Sequence, residues 1–184
     1  MKTETGARIL PGMMRAFFLC LIVSAAAALA GAESRAGEYR DLIWHDLLPE
    51  GEAERIARLQ QMQAVEFGFN HFGTDQMPQL RTFNVVEELD GERVRIAGFV
   101  LPFDFAASGE VSRFLLVPFI GACIHVPPPP PNQLIYVQAD PSVNVRGMWD
   151  PVFAEGVMRT RRQDTDLADS AYTLELTALH PYRN

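Results

Sequence analysis

From residue 81 onward the chain breaks into five short runs rich in β-branched and aromatic residues, each closed by a turn or a chain breaker. The first, residues 93–101, follows the turn pair Asp90-Gly91. It alternates polar and apolar at first and becomes wholly apolar after Gly98. Residues 111–119 form the second, centred on Phe114-Leu115-Leu116-Val117 and ended by Pro118. Residues 134–139, 151–159 and 171–179 are the third, fourth and fifth, with a charged connection over 161–170. Gly98 and Gly156 lie inside two of the runs, where glycine marks a bulge, a tight bend or a close backbone approach. Five short strands of this kind fit a mainly β chain folded as a small OB-like β-barrel, with a β-sandwich as the alternative.

Upstream the period changes. Ile56, Leu59, Met62 and Val65 recur at helical spacing after the Pro49-Glu50-Gly51 turn, which predicts one short helix over 51–64. Residues 67–73 are aromatic and glycine-rich without a period and read as a loop. Residues 33–40 read as a flexible start, and 41–49 as a segment docked through Trp44 and its leucines. Before them, Lys2, Arg8 and Arg15 precede an apolar run, Ala16 to Ala30, which ends at small-x-small cleavage sites. That is the pattern of a secretory signal peptide, too short to span a bilayer comfortably. The expected organisation is a signal peptide over 1–32, an N-terminal extension with a short helix over 33–80, and a β-barrel domain over 81–184. The expected location is the periplasm.

The chain carries 16 basic and 23 acidic residues, net −7. Without residues 1–32, which hold three basic residues and one acidic, the balance is −9. Lys2 is the only lysine. This acidity excludes nucleic acid and anionic lipid as electrostatic partners.

Past the signal segment a single cysteine remains, in the run Gly121-Ala122-Cys123-Ile124-His125-Val126. A lone thiol in an oxidising compartment is buried and inert, metal-bound, reactive or paired with another molecule. On a strand Cys123 and His125 share a face, and thiolate with imidazole suits zinc or copper. Two ligands do not complete a site, and His71, Asp104, Asp150 and His180 are the weaker candidates to join them, with His45 behind. The same pair permits a thiol-dependent enzyme, because an imidazole lowers a cysteine pKa; Asn132 is then a candidate third residue. It equally permits a buried structural pair. Pro127, Pro128, Pro129, Pro130 and Pro131 follow as a polyproline II rod of about 15 Å. The rod either splints the Cys-His segment against the barrel or offers a partner a ridge. Asn132 and Gln133 supply the first donors after it and tie its far end down.

The run from Leu116 to Gln133 resembles the signature of a bacterial family of exported proteins whose domain is of unknown function. Residues 44–49, 94–102 and 151–156 resemble it more weakly. The resemblance implies a periplasmic or lipid-anchored accessory protein, an ABC-type envelope transporter or other periplasmic protein as partner, and a place in zinc homeostasis. It implies no established activity. A non-catalytic interaction module using the polyproline segment is the alternative. His45 reads as a surface residue and His180 as part of a frayed end before Pro181. Asp164, Asp166 and Asp169 read as a solvated loop, since the glycine and terminal glutamate of a calcium loop are missing.

Overall fold

Residues 38–67, 78–103, 109–121, 128–145, 147 and 150–182 are described in the computed structural model. They form six strands and one helix: β1 (Arg40–Leu42), α1 (Glu52–Phe67), β2 (Arg93–Pro102), β3 (Glu110–Val117), β4 (Ile135–Asn144), β5 (Val152–Arg159) and β6 (Tyr172–Pro181). The strand order β2-β3-β4-β6-β5 closes on itself through a β2–β5 pairing, giving a five-stranded mixed barrel. Only β4 and β6 run parallel within it; the other barrel pairings are antiparallel. Strand β1 is an addition, parallel to β2. The expected OB-like barrel with one N-terminal helix is therefore the architecture.

Closure depends on β2, which serves two neighbours in turn. Arg93 to Gly98 pair with β5, and Phe99 to Pro102 pair with β3. Gly98 sits at the changeover. A Cβ there would lie 2.9 Å from both Leu116 Cγ and the Val117 carbonyl, so the strands cross closer than any side chain allows. Gly156 does the same across the barrel. It occupies a bulge in the β5–β6 pairing, and a Cβ would run into the Glu175 carbonyl.

The alternation in the sequence becomes the two sides of the wall. Val94, Ile96 and Val100 of β2 point inward with Phe114, Leu116, Ile135, Val137, Ala154, Met158 and Leu174. Leu42, Leu47 and Leu89, which precede the barrel, share this core. Phe114 to Val117 are buried without a break because β3 is covered on both faces. Leu115 and Val117 belong to a second cluster outside the barrel, with Leu134 and Ala168, flanked by Phe99, Leu101, Phe103 and Tyr136. That is why β2 and β3 lose their alternation where they pair. Each fully buried leucine or phenylalanine contributes about 1.5–3 kcal/mol.

Two features depart from the sequence reading. Strand β1 was not expected; three residues carry no readable period, and it forms because β2 leaves an edge open before β3 joins. The first barrel strand begins at Arg93 as read, and before it Val86 to Leu89 turn back on themselves, Leu89 N–H donating to the Val86 carbonyl at 3.1 Å. The apolar stripe of α1 is buried only at its start: Ile56 is packed, but Met62 is 67% and Val65 85% exposed. Tyr172 joins these upstream pieces to the barrel. Its buried hydroxyl donates to the Leu47 carbonyl (2.8 Å) and accepts the Val86 N–H (2.7 Å).

Candidate functional site

The Cys-His segment is the connection between β3 and β4. Its near stem is Val117, buried in the outer cluster, followed by Pro118, Phe119, Ile120 and Gly121. Phe119 and Ile120 are about half exposed. Cys123, His125 and Pro127 lie outside the described residues, as do His71 and Asp104. The far stem begins at Pro128, which is half-buried; Pro129, Pro130 and Pro131 are buried. A one-turn 3-10 helix, Pro131 to Gln133, then leads into β4.

Prolines have carbonyls but no N–H, so this stem can be fastened only by donors from elsewhere. Gln79 Nε2 donates to the Pro129 carbonyl (2.7 Å) and to the Asp169 carbonyl (2.9 Å), while the Asp169 N–H donates back to Gln79 Oε1 (2.9 Å). Ala171 N–H donates to the Pro131 carbonyl (2.8 Å). Gln133 Nε2 reaches the Trp44 carbonyl (2.9 Å), and Trp44 Nε1 in turn donates to the Ala97 carbonyl (2.8 Å). Asn132 and Gln133 thus do tie the rod's far end down. The faces of Pro129 to Pro131 are taken up by this chain's own residues, which leaves no exposed ridge there for a partner groove.

At the root of the stem sits a buried polar cluster that the sequence reading missed. Glu52, only 5% exposed, accepts from Thr82 Oγ1, from Asn84 Nδ2 (2.9 Å) and from Asn132 Nδ2 (3.4 Å), with Arg55 Nη1 at 3.5 Å. Burial pushes the Glu52 carboxyl up, but the bonds from Thr82 and Asn84, the Arg55 charge and the Asn132 bond outweigh it and hold it below its ordinary value. Asn132 Nδ2 also donates to the Asn84 carbonyl (3.0 Å). Both of its partners are acceptors, so the amide orientation is set by chemistry. Asn132 Oδ1 is left buried and without a partner among the described residues. Only the helix-start position of Glu52 was visible in the sequence; its depth was not.

Asp150 and His180 come together at a second place. Both line a cleft of about 330 Å³ at one barrel end. His180 is not frayed: it pairs with Phe153 in the sheet, and its Nε2 lies 3.6 Å from Glu155 Oε2. His45 is exposed on its 3-10 turn. Asp164 and Asp169 both pair with Arg162. Among the described residues no three His, Cys, Asp or Glu side chains cluster as a metal site would require.

Residues 44–181 match the model of a family described as a protein of unknown function, DUF3299. A crystal structure of a DUF3299 family protein from Pseudomonas aeruginosa PAO1 is similar, with 30% identity and a TM-score of 0.61 over 80% of this chain and 99% of that one. No curated protein matches the chain.

Proposed function

The chain belongs to the DUF3299 family, and from that premise we propose that it is an exported accessory protein that binds a transition metal, zinc or copper, through Cys123 and His125. In this reading it works in the periplasm beside an envelope transporter. The observation that carries it is the root of the β3–β4 connection. A buried carboxylate, two amides and a hydroxyl converge where the Cys-His segment rejoins the barrel. One buried acceptor there, Asn132 Oδ1, has no partner among the described residues. An unmatched buried acceptor costs about 1–3 kcal/mol, and such groups are kept where they serve a site. A fixed stem presents a ligand pair at low entropic cost.

Thiolate and imidazole are two of the three or four donors that a tight zinc site takes. The described residues offer no cluster to supply the others. His71 and Asp104 lie, like the pair itself, outside the described residues; in a carrier, a partner's ligands would complete the site and take the ion on. A second reading, a docking module, is favoured by Phe119 and Ile120, half exposed on the near stem.

The test is elemental analysis of the mature protein purified from the periplasm, beside Cys123→Ala and His125→Ala. Near-stoichiometric zinc or copper, absent from both folded variants, is the expected result. No metal in the parent protein, even after zinc is restored, overturns it. Phe119→Ser with Ile120→Ser separates the second reading, since it should leave metal content intact and abolish partner capture.

A further inference from the structure

The cleft of about 330 Å³ lies where β4 and β6 end and β5 begins, and its size suits a small organic ligand. The apolar part of its floor is Val145 and Val152, both buried, with Leu179, and Asn144 lines it beside them. An imidazole and a carboxylate stand on the rim. His180 faces Glu155 at 3.6 Å. The exposed Asp150 carboxylate has no ion-pair or hydrogen-bond partner among the described residues. Its backbone is held by a turn, Asp150 N–H donating to the Gly147 carbonyl at 3.4 Å, and Gly147 leaves the carboxylate's flank bare. Across the rim, the Tyr182 N–H donates to the Pro151 carbonyl at 2.9 Å and pins the end of β6.

We infer that this cleft binds a small organic cation, an amine or guanidine carrying a short apolar body. The floor covers the body and Asp150 takes the charge. An anion would meet the Asp150 carboxylate on the rim, in a chain of net charge −7. Among the described residues, a bare metal ion would find Asp150, His180 and the Asn144 amide, not a cluster of three His, Cys, Asp or Glu ligands of the kind that holds zinc. The inference does not rest on Cys123 or His125, so it stands or falls apart from the metal reading.

The test is a titration of the mature protein with hexylamine, and in parallel with 1-hexanol and hexanoate, followed by methyl NMR of Val145, Val152 and Leu179. Hexylamine should shift these methyls saturably. Binding should be about threefold to fivefold weaker for hexanol, and for hexylamine in Asp150→Asn, as an exposed charge pair allows. The amide spectrum of that variant away from the cleft should be unchanged. Equal binding of hexanol or hexanoate, an Asp150→Asn variant that binds the amine as before, or no saturable methyl shift overturns the inference. So does zinc that shifts the His180 ring and displaces the amine.

Discussion

Removing one oxygen atom, in Tyr172→Phe, tests whether the segments upstream of the barrel are held by a specific latch or only by apolar contact. The Tyr172 hydroxyl is buried and joins β6 to Leu47 and Val86, which lie far apart in sequence. Phenylalanine fills nearly the same volume, so no cavity opens. It leaves the Leu47 carbonyl and the Val86 N–H without their partner. Leaving the buried Leu47 carbonyl unmatched costs about 1–3 kcal/mol and the half-buried Val86 N–H about 1 kcal/mol more, which puts the variant about 2–4 kcal/mol below the parent, a large share of a domain's stability. Urea unfolding at neutral pH, followed by tryptophan fluorescence, reads this as a lower midpoint with an unchanged slope. A second arm uses alkali. Burial, opposed by the Val86 N–H and aided by the Glu87 charge, pushes the Tyr172 hydroxyl up to about 12. The folded protein therefore holds this proton more tightly than the unfolded chain, whose tyrosine titrates near 10. The stability is fully present below about pH 10 and is lost as pH rises toward 12, about 2–3 kcal/mol in all. Tyr172→Phe should lack that component. A variant within about 0.5 kcal/mol of the parent at neutral pH would refute the latch.

Gly156→Ala should destabilise by about 3 kcal/mol or more in urea unfolding, because its Cβ meets the Glu175 backbone and not a movable side chain; a loss under 1 kcal/mol would mean the bulge relaxes freely. Glu52→Gln should lose about 1–3 kcal/mol at pH 7. The folded Glu52 carboxyl titrates below its ordinary value, so its contribution is present above about pH 4.5 and fades as pH falls through the folded pKa. The gap between parent and Glu52→Gln should therefore close on acidification, and a constant gap would show that charge is not involved. Leu115→Ala should cost about 2–5 kcal/mol, while Met62→Ala should stay within about 0.5 kcal/mol, since Leu115 is buried in the outer cluster and Met62 faces solvent; equal effects would contradict the two-sided burial of β3.

The barrel was legible because its strands announce themselves one at a time. Val94 and Ile96 alternate with arginines, and Val152, Ala154 and Met158 face inward by the same rule. Gly98 and Gly156 could be flagged as irregular, but which neighbour demands the missing side chain depends on the closed barrel. Strand β1 was invisible because nothing in Arg40-Asp41-Leu42 prefers a strand. Its place is created by the free edge of β2 and by the Arg95 fork on Asp41, with Arg95 Nη2 at 3.0 Å from Oδ2. Glu52 was missed for a related reason. A glutamate after Gly51 in a helix's first turn is ordinarily a solvent-facing residue, and only Thr82, Asn84 and Asn132, brought in from 30 to 80 positions away, make it a buried one.

The proline run shows how far local chemistry can carry and where it stops. Its stiffness and its lack of donors are written in the residues themselves. From these alone a free ridge and a buried splint are equally good outcomes, because both satisfy a rod that only accepts hydrogen bonds. What distinguishes them is where donors lie. Here Gln79 and Ala171 each supply one from a different part of the chain, Gln133 fastens the end of the stem to the Trp44 carbonyl, and Pro129 to Pro131 are buried. The stem is thereby coupled at once to the segment after α1, to the start of β6 and, through Trp44, to β2. A ligand or partner that moved the Cys123–His125 segment would have to work against all three. Binding there should therefore raise the unfolding free energy of the whole barrel and not only order a loop, which makes thermal stabilisation by zinc, absent in Cys123→Ala, the sharpest expectation for the metal reading.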